Sequence, residues 1–127
     1  MPWKSTCSLF IKARRNHVSE LTINPLGRGT HLSKDLAEIV KIVEASGLAF
    51  CLTPFGTCIE GDWDQVMDVV KRCRACAKSF SHHVMTSIQI EDEDRAANKL
   101  EENVAAIERI AGHPLTRLAH KVVEAEA

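Results

Sequence analysis

Phe55-Gly-Thr-Cys-Ile-Glu-Gly-Asp-Trp-Asp-Gln-Val-Met67 packs a turn, a short strand and a helix start into one stretch. Gly56 admits backbone angles denied to other residues. Thr57-Cys-Ile59 is a β-prone run that Gly61 ends. Asp62 stands at a helix N-cap with Gln65 three residues on, the capping-box spacing, in which each side chain satisfies an orphan backbone N–H. Glu60 is left at the end of the strand, beside the partial positive charge of a helix N-terminus. A carboxylate held by a turn, a strand and a capped helix is a good binding group.

Working outward, residues 18–26 alternate with period two. Leu21 and Ile23 point one way, and Glu20, Thr22 and Asn24 the other. Pro25 and Gly27-Arg-Gly-Thr30 end this strand. Ser33 is the expected N-cap of a helix over 34–46, where Leu36, Ile39, Val40 and Val43 recur at helical spacing and Gly47 closes the last turn. Residues 48–54 form a second strand, with Phe50 and Leu52 on one face and Cys51 and Thr53 on the other. The helix opened by Asp62 carries Trp63, Val66, Met67, Val70, Cys73, Ala77 and Phe80 as an apolar stripe, with Trp63 and Met67 as anchors. His82-His83 fall in the loop beyond it. Residues 84–91 are a fourth strand whose buried set is Val84, Thr86, Ile88 and Ile90. An acidic turn over 91–94 leads into a third helix with Ala97, Leu100, Val104, Ile107 and Ala111 at helical spacing, stopped by Gly112-His-Pro114.

The order is β-α-β-β-α-β with a helical appendix, the ferredoxin-like split βαβ pattern. The expected fold is α+β: a four-stranded antiparallel sheet with both helices on one face. The sequence allots no helix to the other face. By alternation that face carries Glu20, Thr22, Asn24, Cys51, Thr53, Cys58, Glu60, Ser87 and Gln89. A half-polar open sheet face invites a ligand, a partner subunit, or both.

Whole-chain properties narrow the function classes. A chain of 127 residues suits one domain, and 45% apolar with 26% charged residues is ordinary for a globular protein. The net charge of −1 offers no basic field for nucleic acid or anionic membrane, and no apolar run reaches membrane-spanning length. Tyrosine is absent and aromatics make up 5%, so base-stacking platforms are scarce. Five cysteines without a secretory signal point to a reducing cytoplasm. Residues 1–17 read as an N-terminal extension. They are basic and free of acids, a composition shared with organelle transit peptides and with incidental basic arms. The domain is expected over 18–112, followed by a tail over 113–127 with weak helical register.

Three segments carry a family resemblance. They are Glu20-Leu-Thr-Ile-Asn-Pro-Leu-Gly27 with Gly29-Thr30; Gly56-Thr-Cys-Ile-Glu-Gly61 with Trp63-Asp64 and Val66-Met67; and Thr86-Ser-Ile-Gln-Ile-Glu-Asp92 with Asp94-Arg95. In order and spacing the chain resembles a small ferredoxin-like family of thiamine-binding proteins with bacterial, archaeal and fungal members. The resemblance covers roughly residues 18–112, the extent of a compact domain. It implies a homotetramer, a dimer of dimers, in which open sheet faces and edges meet. It also implies a site for thiamine or its hydroxymethylpyrimidine moiety on the open face near a subunit interface, and no catalysis. The chain departs from the pattern at Arg28, where many relatives have a small residue, and at Gln89, where many have Lys. After the acidic turn only Arg95 matches a pair of arginines.

An aminopyrimidine presents ring-nitrogen acceptors and an exocyclic amine donor, so it requires a carboxylate or amide, hydroxyls and an apolar surface. Glu60 is the expected partner of the amine, and Glu20 either replaces it or balances the thiazolium charge. Thr22, Asn24, Thr53 and Ser87 supply short hydrogen-bonding groups on the same face. The same residue pattern also suits a sheet face that only assembles with other copies. No cofactor, metal or catalytic residue is expected beyond thiamine or hydroxymethylpyrimidine as ligand. Cys73-Arg-Ala-Cys76 lies mid-helix, away from the helix N-terminus that activates a redox CxxC, and Cys73 falls on the apolar stripe. A zinc site would need two further ligands.

Overall fold

The computed structural model describes residues 17–30, 32–94 and 98–116. The basic segment 1–16, Arg95, Ala97 and the tail from residue 117 lie outside the described residues. The elements are β1 (His17–Leu26), α1 (Ser33–Ala45), β2 (Ala49–Leu52), β3 (Thr57–Gly61), α2 (Trp63–Phe80), β4 (His83–Glu91) and α3 (Lys99–Ala111). The four strands form one antiparallel sheet in the order β2-β3-β1-β4, a ferredoxin-like arrangement.

The period-two reading of β1 holds. Leu21 and Ile23 are buried, while Glu20 and Asn24 are exposed. Leu21 and Ile23 join Ile59 of β3 beneath Ile39 and Val43 of α1 and Val66, Val69, Val70, Cys73 and Ala77 of α2. Each large side chain withdrawn from water here contributes about 1.5–3 kcal/mol. Cys73 is fully buried, its thiol 3.7 Å from the Ile39 carbonyl, so the first cysteine of the CxxC is core.

The capping box forms as expected. The Asp62 carboxylate accepts from the Gln65 N–H at 2.8 Å, and the Asp62 N–H donates to the Gln65 side chain at 3.3 Å. Gly61, expected to end β3, is its last residue.

Several expectations are corrected. The N-cap of α1 is Leu32, without a side-chain cap bond, and Ser33 is already helical. Gly56 is needed for space and not for angle. It has no positive φ, but a Cβ there would come within 2.7 Å of the Leu21 carbonyl oxygen. Trp63 does not anchor α2 in the core; it is 54% exposed and tilts against the buried His17 ring at 5.8 Å. Val69, absent from the expected stripe, is buried. Thr86 is exposed, and Val84, Ile88 and Ile90 are only half-buried, because β4 is an edge strand.

The largest correction concerns the open face, part of which is covered by α3. The backbone N–H groups of Lys99 and Leu100 reach the Glu60 carboxylate at 2.6 and 3.4 Å. The helix's own N-cap, Asn98, makes no side-chain cap bond and has φ 56°. A carboxylate from the neighbouring strand therefore takes the place of the missing cap, and the helix dipole favours its charge.

Candidate functional site

Docking α3 on the sheet creates a cleft of ≈ 380 Å³ at the β1–β3–β4 end of the open face. Its floor is Val18 and Glu20 of β1, Cys58 of β3 and Gln89 of β4. Leu100, Asn103 and Val104 of α3 form the opposite wall. Strand register explains the floor, because Glu20 lies opposite Cys58 on one side and opposite Gln89 on the other. Three polar side chains from three strands thus stand in one row.

Glu20 is exposed, and among the described residues its carboxylate has no hydrogen-bond or ion-pair partner. It acts on its neighbour: burial first, then the negative charges of Glu20 and Cys51, push the Cys58 thiol up. At the far end Lys99, with 6% side-chain exposure, bridges Glu91 at 2.5 Å and Glu93 at 2.6 Å. Hydrogen bonds to these two carboxylates raise the Lys99 pKa, and the bond from Lys99 lowers that of Glu91. The Lys99 pair pins the first turn of α3 to the end of β4.

The expected site residues separate into groups. Glu20 faces the cleft. Glu60 is buried at 7% exposure, with both oxygens engaged by the start of α3, so its carboxylate already has a structural role. Thr22 and Thr53 hold the β2–β3 turn. The Thr22 hydroxyl donates to the Phe55 carbonyl at 3.1 Å, and the Thr53 hydroxyl donates to the Gly56 carbonyl at 2.9 Å. The Thr53 oxygen also accepts from the Phe55 and Gly56 N–H groups. Thr22 and Thr53 border a second, smaller cavity of ≈ 120 Å³ between the turn and α1, lined mainly by apolar side chains such as Leu36, Ile39 and Leu52. Asn24 and Ser87 are exposed on the part of the sheet face beyond the cleft, with Thr22 opposite Ser87.

Asn103, Leu100, Val104 and Lys99 line the cleft without being among the expected site residues, because the β-α-β-β-α-β pattern leaves the third helix as an appendix. A signal was present. An amphipathic helix with Leu100, Val104 and Ile107 on one face must bury that face, and only the open side of the sheet remained for it. The cleft combines an uncommitted carboxylate, two amides, a thiol and apolar side chains. That set suits a flat, polar, hydrogen-bond-donating molecule with some positive charge. No histidine lines it to activate the thiol. Among the described residues no group of three or more His, Cys, Asp or Glu is placed to hold a metal ion, and no helix is long and apolar enough to cross a membrane.

Fold and cleft together define a small ferredoxin-like α+β domain with an open groove on its sheet. The model of the thiamine-binding protein family matches residues 19–108, well over half of the chain, and the chain belongs to that family. A UPF0045 protein of Synechocystis is 28% identical over 94 residues, covering 73% of this chain and 78% of the relative. A UPF0045 protein of Mycobacterium tuberculosis is 29% identical over 94 residues, covering 73% and 92%. Among solved structures, a hypothetical protein from Methanocaldococcus jannaschii is 27% identical with a TM-score of 0.69, covering 73% of this chain and 96% of that one. A Thermotoga maritima protein proposed to act in thiamine biosynthesis or salvage has a TM-score of 0.64 at 18% identity, covering 72% and 98%, a likeness of fold alone.

Proposed function

We propose that this protein binds thiamine or its hydroxymethylpyrimidine moiety, without chemistry, in the cleft between the open sheet face and α3. One observation carries the reading: in a chain of the thiamine-binding family, the Glu20 carboxylate stands uncommitted between Cys58 and Gln89 beneath an apolar helix face. Glu20 accepts from the exocyclic amine, a charge-assisted bond of the stronger kind. The side-chain N–H groups of Gln89 and Asn103 donate to the ring nitrogens, and Leu100 and Val104 pack against the ring face. Glu60 supports the site indirectly by fixing the start of α3.

Calorimetric titration with thiamine and with hydroxymethylpyrimidine tests the assignment. Glu20→Gln is expected to weaken binding by about 1.5–3 kcal/mol, the worth of a hydrogen bond to a charged group. Affinity equal to wild type would refute Glu20 as the ligand's carboxylate.

A second reading has specific support and is compatible with the first. Met85 on the open face is 56% exposed, and Ile107 and Ile110 on α3 are 58% and 90% exposed. Apolar surface of this kind suits a subunit interface, and the long edge strand β4 offers unpaired backbone groups to a second chain. A homotetramer, a dimer of dimers with its ligand site near the interface, fits these features. Light scattering on the purified protein measures the assembly directly, and a monomer would exclude it.

A further inference from the structure

The two hairpin cysteines share one side of the sheet. Cys51 of β2 lies directly opposite Cys58 of β3. Both side chains project to the open face, since Phe50 and Ile59, the next pair along, pack with the core. The Thr53 N–H donates to the Gly56 carbonyl at 2.8 Å, which makes that facing pair a hydrogen-bonded position of the antiparallel ladder. Hydrogen-bonded and non-hydrogen-bonded pairs alternate, so Cys51 and Cys58, two pairs further in, occupy a hydrogen-bonded position as well. Facing Cα atoms there lie about 5.5 Å apart, inside the window of roughly 4.4–6.8 Å that a disulfide spans. β2 is a four-residue edge strand, paired on one side only, and is therefore free to tilt and close the remaining distance between the Cβ atoms. Cys51 is exposed, whereas Cys58 is half-buried and lines the cleft.

We propose that Cys51 and Cys58 form a reversible dithiol–disulfide pair on the cleft floor, oxidised by low-molecular-weight disulfides. The exposed Cys51, as thiolate, attacks one sulfur of the small disulfide. That S–S bond breaks, one small thiolate leaves and takes a proton from water, and a mixed disulfide remains on Cys51. Cys58 then loses its proton to solvent and attacks the Cys51 sulfur. The Cys51–Cys58 bond forms and the second small thiol departs. Two protein thiols are oxidised, one small disulfide is reduced to two thiols, and no other reactant is needed. Burial and the Glu20 charge hold the Cys58 thiol in its protonated form, which leaves Cys51 as the entry point. Closure of the bond removes a thiol from beside Glu20 and clamps β2 to β3. A cross-link at a hydrogen-bonded position requires the Cβ atoms to approach, and such geometry favours easy reduction. This pairing does not depend on which ligand the cleft takes.

The test uses the full chain equilibrated with oxidised and reduced glutathione at graded ratios, alkylated, and digested with trypsin. The fragment between Lys41 and Lys71 contains Cys51 and Cys58 and no other cysteine. Under reducing ratios it is expected to carry two alkyl groups. Under oxidising ratios it is expected to carry none and to be lighter than the free dithiol by the two thiol hydrogens, reversibly. Cys58→Ser is expected to retain a glutathione adduct on Cys51 that wild type resolves. The proposal is overturned if wild type keeps glutathione adducts on this fragment, links Cys51 between chains, or stays doubly alkylated at every ratio.

Discussion

The two faces of the sheet are built on opposite terms. On one, Leu21, Ile23 and Ile59 meet two helices and the side chains are almost completely withdrawn from water. On the other, a single helix rests on one end, held by the Glu60 carboxylate and the Lys99–Glu91–Glu93 ion pairs. The difference lies in the kind of force. Area burial is non-directional and tolerates no vacancy, whereas a helix held by a few polar contacts can be loosened without unfolding the domain. The face suited to ligand binding is the one whose cover is held weakly.

Variants on each face should separate the two. Ile59→Ala, at a position with 0% exposure, should cost about 2–5 kcal/mol of global stability. The check is denaturant unfolding followed by circular dichroism. Glu60→Ala leaves the backbone donors at the start of α3 without their acceptor, at a cost of about 1–2 kcal/mol. The loss should appear as faster amide exchange in α3, with the core strands still protected. Equal acceleration in β1 would show that the two faces unfold together and would break the comparison. Asp62→Ala removes the cap of α2 for about 1 kcal/mol. Because α2 is packed into the core, that loss should be read globally and not as local fraying.

The smallest effect is a dependence on pH. Glu91 is lowered by its hydrogen bond from Lys99, so the pair's contribution is present above the unfolded carboxylate's pKa and is lost as pH falls through the lower, folded one. Lys99 is raised, so its contribution is present below the unfolded amine's pKa and is lost as pH rises through the higher, folded one. Amide exchange in the first turn of α3 should therefore be slowest, after correction for intrinsic rates, in the neutral range. It should quicken below the ordinary carboxylate range while the core remains protected.

How much was legible in the sequence can be judged residue by residue. The alternation of β1 and the Asp62–Gln65 box were readable because each is a relation between residues two or three positions apart. Glu20 was correctly placed on the open face by the same alternation, and so was Cys58. The role of Glu60 was not readable: its partner, the Lys99 N–H, is 39 residues away. Thr22 looked free to bind a ligand, yet its hydroxyl is engaged by the Phe55 carbonyl 33 residues on. Gly56 was recognised as special for the wrong reason, since the obstacle to a side chain is Leu21, on a neighbouring strand.

The sequence by itself determined the order of elements, their period and the cap of α2, because local sterics and i-to-i+3 hydrogen bonds act within a few residues. Only the tertiary structure decided where α3 lies, and with it which carboxylate remains open to a ligand. An amphipathic helix specifies that one of its faces must be buried, but not on which surface. That choice fell to a strand carboxylate and a buried lysine brought together by the folded sheet.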